Sequence, residues 1–84
     1  RVKILEAWSR GVPVVSTSIG CEGLEVRSGE NLWVADSAET FAAAILNLLR
    51  DPDLARRIAE RGRRTLQEHY DYHHALRPLE QVYR

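Results

Sequence analysis

Gly11-Val12-Pro13-Val14-Val15-Ser16-Thr17-Ser18-Ile19-Gly20 is the stretch that decides the fold of this chain. It is a short apolar, β-branched run, bounded by Gly11 on one side and by small polar residues on the other. Such a run reads as a strand over 12–16 buried on both faces, the kind found in parallel sheets covered by helices. Pro13 belongs at the first residue of that strand, where its missing N–H does least harm. A second unalternating apolar run, Leu32-Trp33-Val34-Ala35, predicts another strand. The separation between the two exceeds the dozen or so residues that a parallel crossover needs.

The flanks supply helices. Ile4, Leu5 and Trp8 recur at spacings of three and four within 1–10, and Gly11 suits the left-handed position that ends a helix. Thr17 to Asn31, with Gly20, Gly23 and Gly29, reads as a loop, with one helical turn or a brief strand near Leu24–Val26 left open. Asp36 followed by Glu39 has the spacing of a capping box. The helix it opens has Phe41, Ile45, Leu48 and Leu49 as its expected apolar stripe. Asp51-Pro52 restarts a second helix, with Asp as cap and Pro at its first position. Leu54, Ile58 and Leu66 line that helix, and Gly62 shares their face, which argues for close helix packing. Tyr70-Asp71-Tyr72 breaks the pattern, and residues 71–84 are expected to form a last helix carrying Tyr72, Leu76, Leu79 and Tyr83, with Pro78 kinking or dividing it. The expected class is therefore α/β: two short parallel strands followed by about three helices.

Composition narrows the function classes. The chain has 84 residues, 12 Lys+Arg against 12 Asp+Glu, and 44% hydrophobic residues. No apolar run approaches the roughly 20 residues that cross a bilayer. The neutral balance lacks the basic footprint of a nucleic-acid binder. One cysteine excludes a disulfide framework and fits a reducing compartment, hence a cytoplasmic location, with peripheral membrane association an expectation for a parent protein. No methionine is present, and two strands cannot form a self-sufficient doubly wound sheet. Both features lead to the expectation that 1–84 is the C-terminal part of a larger domain whose upstream portion supplies the missing strands. An oligomer formed through the exposed sheet edge is the other way to cover it.

In open α/β sheets ligands bind at the carboxyl ends of the strands. That edge comprises Ser16 to Glu25 together with Ala35 and Asp36. Ser16, Thr17 and Gly20 offer hydroxyls and accessible backbone directly after a strand, suited to a phosphate or a sugar, although the glycine spacing is neither that of a P-loop nor of the dinucleotide fingerprint. Ordinary turn chemistry is an equal reading of the same residues. His69, His73 and His74 could suggest a metal, but the Tyr70-Asp71 break spoils their helical spacing. Cys21 has no activating base nearby and reads as a partly buried, inert thiol. The six arginines from Arg50 to Arg64 read as a solvated helix face, with a Glu60–Arg64 ion pair at favourable spacing.

Lys3-Ile4-Leu5-Glu6-Ala7-Trp8-Ser9-Arg10-Gly11-Val12-Pro13-Val14-Val15 resembles the "lEAma.G.PVv" signature of the retaining glycosyltransferases of family 4, which have the GT-B fold. The resemblance continues through Gly20-Cys21-Glu22-Gly23-Leu24-Glu25-Val26 and through Gly29 to Asp36. It extends along Leu48 to Tyr70, so it covers nearly the whole chain as the last part of a Rossmann-like C-terminal domain. Trp8 in place of a frequent Met, Cys21 in place of a second Gly, and Pro78 depart from the pattern.

The resemblance implies a donor site for a nucleotide-sugar. Glu6 matches the second glutamate of the E-x7-E motif, whose carboxylate accepts hydrogen bonds from the ribose hydroxyls of the donor; an ionised carboxylate strengthens each such bond. Glu25 matches the glutamate that closes the glycine loop, where a structural role and a ligand contact are both open. The resemblance further implies sugar transfer with retention and no metal cofactor, with the leaving diphosphate stabilised by basic side chains and a helix N-terminus. The fragment by itself is expected to be inactive. Two other classes compete: a noncatalytic α/β interaction module, and a nucleotide-sugar epimerase of the same fold.

Overall fold

A computed structural model describes residues 2–70, and the expected helix over 71–84 lies outside the described residues. The described chain is α/β. It runs α1 (Val2–Ser9), β1 (Val15–Ser16), β2 (Trp33–Val34), α2 (Ala38–Arg50) and α3 (Pro52–His69). The two strands pair in parallel, with Val15 opposite Trp33 and Ser16 opposite Val34. Flanking bonds extend the ladder: Trp33 N–H donates to Val14 C=O and Ala35 N–H to Ser16 C=O, both at 2.9 Å.

Both strands are shorter than the apolar runs that announced them. Pro13 therefore lies ahead of β1 rather than at its first residue. Only one side of β1 has a partner among the described residues, so little more than the paired residues meets the hydrogen-bond pattern of a strand. The connecting segment 17–32 is held by its own turns. Cys21 N–H donates to Thr17 C=O and Glu22 N–H to Ile19 C=O, which puts the helical turn just after β1 and not at Leu24–Val26. Ser28 and Leu32 form an isolated parallel bridge.

α1 ends in a Schellman closure: Val12 N–H donates to Ala7 C=O at 3.0 Å and Gly11 N–H to Trp8 C=O at 3.1 Å. Gly11 has φ of 70° with open space where a side chain would stand, so glycine is there for its backbone conformation. α2 starts one residue later than the sequence pattern suggests. Ser37 is its N-cap and Thr40, not Glu39, completes the capping box. Asp36 is unavailable for capping because its carboxylate accepts from the N–H and the hydroxyl of Ser18. The cap of α3 is as expected, with Asp51 accepting from Leu54 N–H at 3.1 Å and Pro52 opening the helix.

The core is organised around Trp8, Leu32, Ile58 and Leu66, all fully buried. α1 packs across α3, where Gly62 makes the crossing possible. A Cβ at Gly62 would stand 2.5 Å from Trp8 Nε1. Trp8 Nε1–H in turn donates to Asn31 C=O at 3.0 Å. Leu54 is half-buried and Ile58 and Leu66 are fully buried, so the expected face of α3 is the packed one. On α2 the expected stripe is partly corrected. Ala44 and Leu48 are buried, Phe41 is half-buried, but Ile45 and Leu49 are exposed, Leu49 by 72%.

Those exposed residues are not scattered. Pro13 and Val15 of the β1 side face Phe41, Ile45 and Leu49 of α2 across an open apolar groove of about 550 Å³, closed below by Leu48 and Pro52. The groove runs along β1, which has one paired neighbour, β2, among the described residues.

Candidate functional site

The carboxyl ends of β1 and β2 lie side by side because the strands are parallel and in register. Thr17 follows one and Ala35-Asp36 the other, and the first turn of α2 rises beside them. Thr17, Asp36 and Ser37 line a shallow depression of about 420 Å³ floored by Ala35 and Phe41. The residues predicted for this edge meet there in part.

Ser16 is half-buried and its hydroxyl donates to Thr17 C=O at 2.9 Å. Thr17 Oγ1 accepts from Gly20 N–H at 3.0 Å, closing a hydroxyl-capped turn. Gly20 has an ordinary φ, and its requirement is space. A Cβ there would lie 2.7 Å from Ser16 Oγ and 3.1 Å from Thr17 Oγ1. Ser16, Thr17 and Gly20 thus form one interlocked unit that holds the loop in a tight curl over the end of β1. Ile19, at the tip of that curl, is 77% exposed.

Asp36 is the residue that sequence reasoning placed in the wrong role. One carboxylate oxygen accepts from Ser18 N–H at 2.8 Å and both lie 2.9 Å from Ser18 Oγ, so the loop after β1 is strapped to the loop after β2. No local pattern reports a bond between residues eighteen apart in sequence. Asn31 was likewise missed. It is buried, accepts at Oδ1 from Arg27 N–H, and donates through Nδ2 to Glu25 C=O at 2.7 Å and to Thr65 Oγ1 at 3.0 Å. It joins the loop to α3 with every hydrogen of its amide engaged.

Glu25 stands apart from the Thr17–Asp36 depression. Its backbone N–H donates to Tyr70 Oη at 2.9 Å, and its exposed side chain lines a cleft between the loop and the end of α3 with Arg27, Arg61 and Arg64. Glu30 and Glu68 line the same cleft, so it carries charges of both signs. The ion pair recorded on α3 is Arg56–Asp53 at 3.3 Å, on the exposed surface.

Glu6 lies on α1. Its side chain is only 20% exposed, and its Oε1 is 2.7 Å from Nη2 of Arg10, one turn further along. The i,i+4 spacing of this pair was legible in the sequence and is the one signal that could have drawn attention to Arg10. Cys21 is buried and lies 3.6 Å from Ser18 C=O, a packed thiol. Among the described residues no group of three His, Cys, Asp or Glu side chains is arranged to hold a metal; His73 and His74 lie outside them. Among the described residues no helix is long and apolar enough to cross a membrane.

A curl of hydroxyls and amides thus stands at the carboxyl edge of a parallel pair, preceded by a helix bearing a half-buried glutamate. The glycosyl transferase-like family matches residues 1–81. This chain belongs to that family. A lipopolysaccharide core biosynthesis glycosyltransferase of Rhizobium meliloti, LpsE, is 46% identical over 65 residues, covering 75% of this chain and 19% of LpsE. A Klebsiella pneumoniae protein described as an uncharacterized 44.6 kDa protein in the cps region is 37% identical over 71 residues, covering 84% of this chain and 18% of that protein. The chain thus spans less than a fifth of the length of these two relatives. No solved structure matches it. The matches bear out the glycosyltransferase resemblance read from the sequence.

Proposed function

We propose that this glycosyl transferase-like chain is the part of a retaining, GT-B-fold glycosyltransferase that helps to bind the nucleotide-sugar donor at a Rossmann-like carboxyl edge. The observation that carries the reading is the alignment of the two carboxyl strand ends under one strapped loop, with Glu6 on the helix that leads into β1. Glu6 accepts the ribose hydroxyls. An ionised carboxylate has about four lone-pair sites, so one guanidinium contact leaves room for a diol. The curl at Ser16, Thr17 and Gly20 supplies short side chains and a close backbone approach next to the donor. Glu25 acts from the neighbouring cleft, either on the ligand or on the turn that shapes it.

Transfer itself belongs to the longer protein. The donor diphosphate is neutralised there by basic side chains and helix N-termini without a metal cofactor, and the 84 residues alone are inactive. The apolar groove between β1 and α2 is where the remainder of the sheet and its covering helix pack, because an unpaired strand edge beside exposed Ile45 and Leu49 is a costly surface to leave open. The proposed compartment is the cytoplasm, in keeping with a single free cysteine. The relationship to a lipopolysaccharide core enzyme supports an acceptor of glycolipid or polysaccharide type.

Titration of the full-length protein with uridine and guanosine diphosphate, followed by NMR, tests the donor site. Resonances of Glu6 and of residues 16–25 are expected to shift, and Glu6→Gln is expected to weaken binding roughly tenfold, the value of a charge-assisted hydrogen bond. Shifts confined to the exposed face of α3, or none with either nucleotide, would sink the proposal.

A further inference from the structure

The ion pair on α1 points to a residue whose role goes beyond the glutamate itself. Arg10 is not a loosely placed surface arginine. Its backbone directly follows Ser9, the last residue of α1, with its N–H 3.2 Å from both Glu6 C=O and Ala7 C=O, and Gly11 and Val12 close the helix end behind it. Side chains on a helix lean toward its N-terminus. A long side chain anchored at Arg10 therefore reaches back one turn and arrives over Glu6, where Nη2 meets Oε1 at 2.7 Å.

α1 is held against the core by its buried face. Trp8 is clamped between Gly62 and the Asn31 carbonyl, and Ile4 is buried in the same cluster. Glu6 itself turns about its side-chain bonds, with about three staggered wells at each of the first two and a broad, roughly two-fold profile at the carboxylate. The contact with Arg10 restricts that freedom, at the level of about one torsion. The guanidinium remains 64% exposed, so it can hold one side of the carboxylate without enclosing it.

We propose that Arg10 is a positioning residue, holding the Glu6 carboxylate in the one orientation that receives the ribose hydroxyls of the donor. This rests on the donor-binding reading of Glu6 and adds the group through which that carboxylate is aimed. Arg10 touches no reacting atom. Its effect is confined to ligands that carry the hydroxyls Glu6 accepts.

That confinement supplies the test. Calorimetry on the full-length protein would compare uridine and guanosine diphosphate with their 2′,3′-dideoxy counterparts, in wild type, Arg10→Gln, Arg10→Lys, Glu6→Gln and the double variant. Freeing one three-well torsion costs about threefold in affinity, so Arg10→Gln should weaken the ribonucleotide about threefold and leave the dideoxynucleotide unchanged. Arg10→Lys should recover part of the loss, since it keeps the charge without the planar fork. In the Glu6→Gln background Arg10→Gln should have no further effect. Equal losses for the two nucleotides, or losses that simply add to those of Glu6→Gln, would overturn the assignment while leaving Glu6 as a donor contact. If Glu6→Gln itself does not reduce discrimination between ribose and dideoxyribose, the donor-binding reading of Glu6 fails and the role of Arg10 with it. Melting temperatures of all variants separate these effects from loss of fold. Should Arg10→Gln not fold, the Arg10→Lys comparison is read in the same way.

Discussion

Replacing Gly62 by alanine sets two physical effects of opposite sign against each other. On an isolated helix the change is favourable by about 1 kcal/mol, because alanine loses less backbone entropy than glycine. At this position α3 crosses α1, and the added Cβ would stand 2.5 Å from Trp8 Nε1 and 3.0 Å from Trp8 Cγ. Trp8 is completely buried, so the indole has nowhere to retreat without displacing Leu32 or Leu66 beside it. Overpacking of this kind costs about 1–3 kcal/mol. Movement of the ring also breaks its hydrogen bond to Asn31 C=O, which leaves buried polar groups unpaired at a further cost of about 1–3 kcal/mol. The steric and polar losses exceed the propensity gain, and Gly62→Ala is expected to destabilise by about 2–3 kcal/mol. Urea unfolding followed by tryptophan fluorescence measures this directly, because Trp8 is buried and Trp33 only half-buried. A stabilised Gly62→Ala protein with an unchanged Trp8 emission would refute the claim that α1 and α3 meet through this glycine. Combining it with Trp8→Phe, which removes the indole nitrogen, should reduce the penalty.

Asn31→Ala should cost about 2–4 kcal/mol in unfolding free energy, since it strands Arg27 N–H and Glu25 C=O together, and faster amide exchange at Arg27 would localise the loss. Ser37→Ala should lower stability by about 1 kcal/mol as a lost helix cap. Asp36→Ala should leave the ends of α2 protected and instead expose the Ser18 amide to exchange, reversing the roles that sequence spacing assigns to the two residues. Gly20→Ala, which would bring a Cβ to 2.7 Å from Ser16 Oγ, should displace the curl after β1 and weaken nucleoside diphosphate binding with little change in unfolding midpoint. Equal loss of stability and binding there would mean that the curl serves the core rather than a ligand.

Several of these expectations follow from signals that are local in sequence. The break at Gly11, the Asp51-Pro52 restart and the shared face of Ile58, Gly62 and Leu66 each depend on residues within one or two turns of one another, and they appear in the structure where the sequence puts them. The two short apolar runs announced parallel strands for the same reason. The Glu6–Arg10 pair belongs to this class too, being a single helical turn.

Other features depend on partners that sequence order does not bring together. Asp36 looked like a helix cap because Glu39 stands three residues on, yet Ser18 from another loop offers it both an amide and a hydroxyl, so the cap passes to Ser37. Ile45 and Leu49 look like core because the helical period includes them, but burial requires a neighbour, and among the described residues that side of α2 faces the open groove. Asn31 carries no motif, and its importance arises only when Glu25, Arg27 and Thr65 converge on one amide. Sequence by itself determined the order of the elements, the parallel pairing and the family, because those rest on local periodicity and contiguous motifs. Tertiary structure decided which polar side chain straps the loop, which apolar face is covered and why Gly62 must lack a side chain, since each depends on an atom brought close from a distant part of the chain.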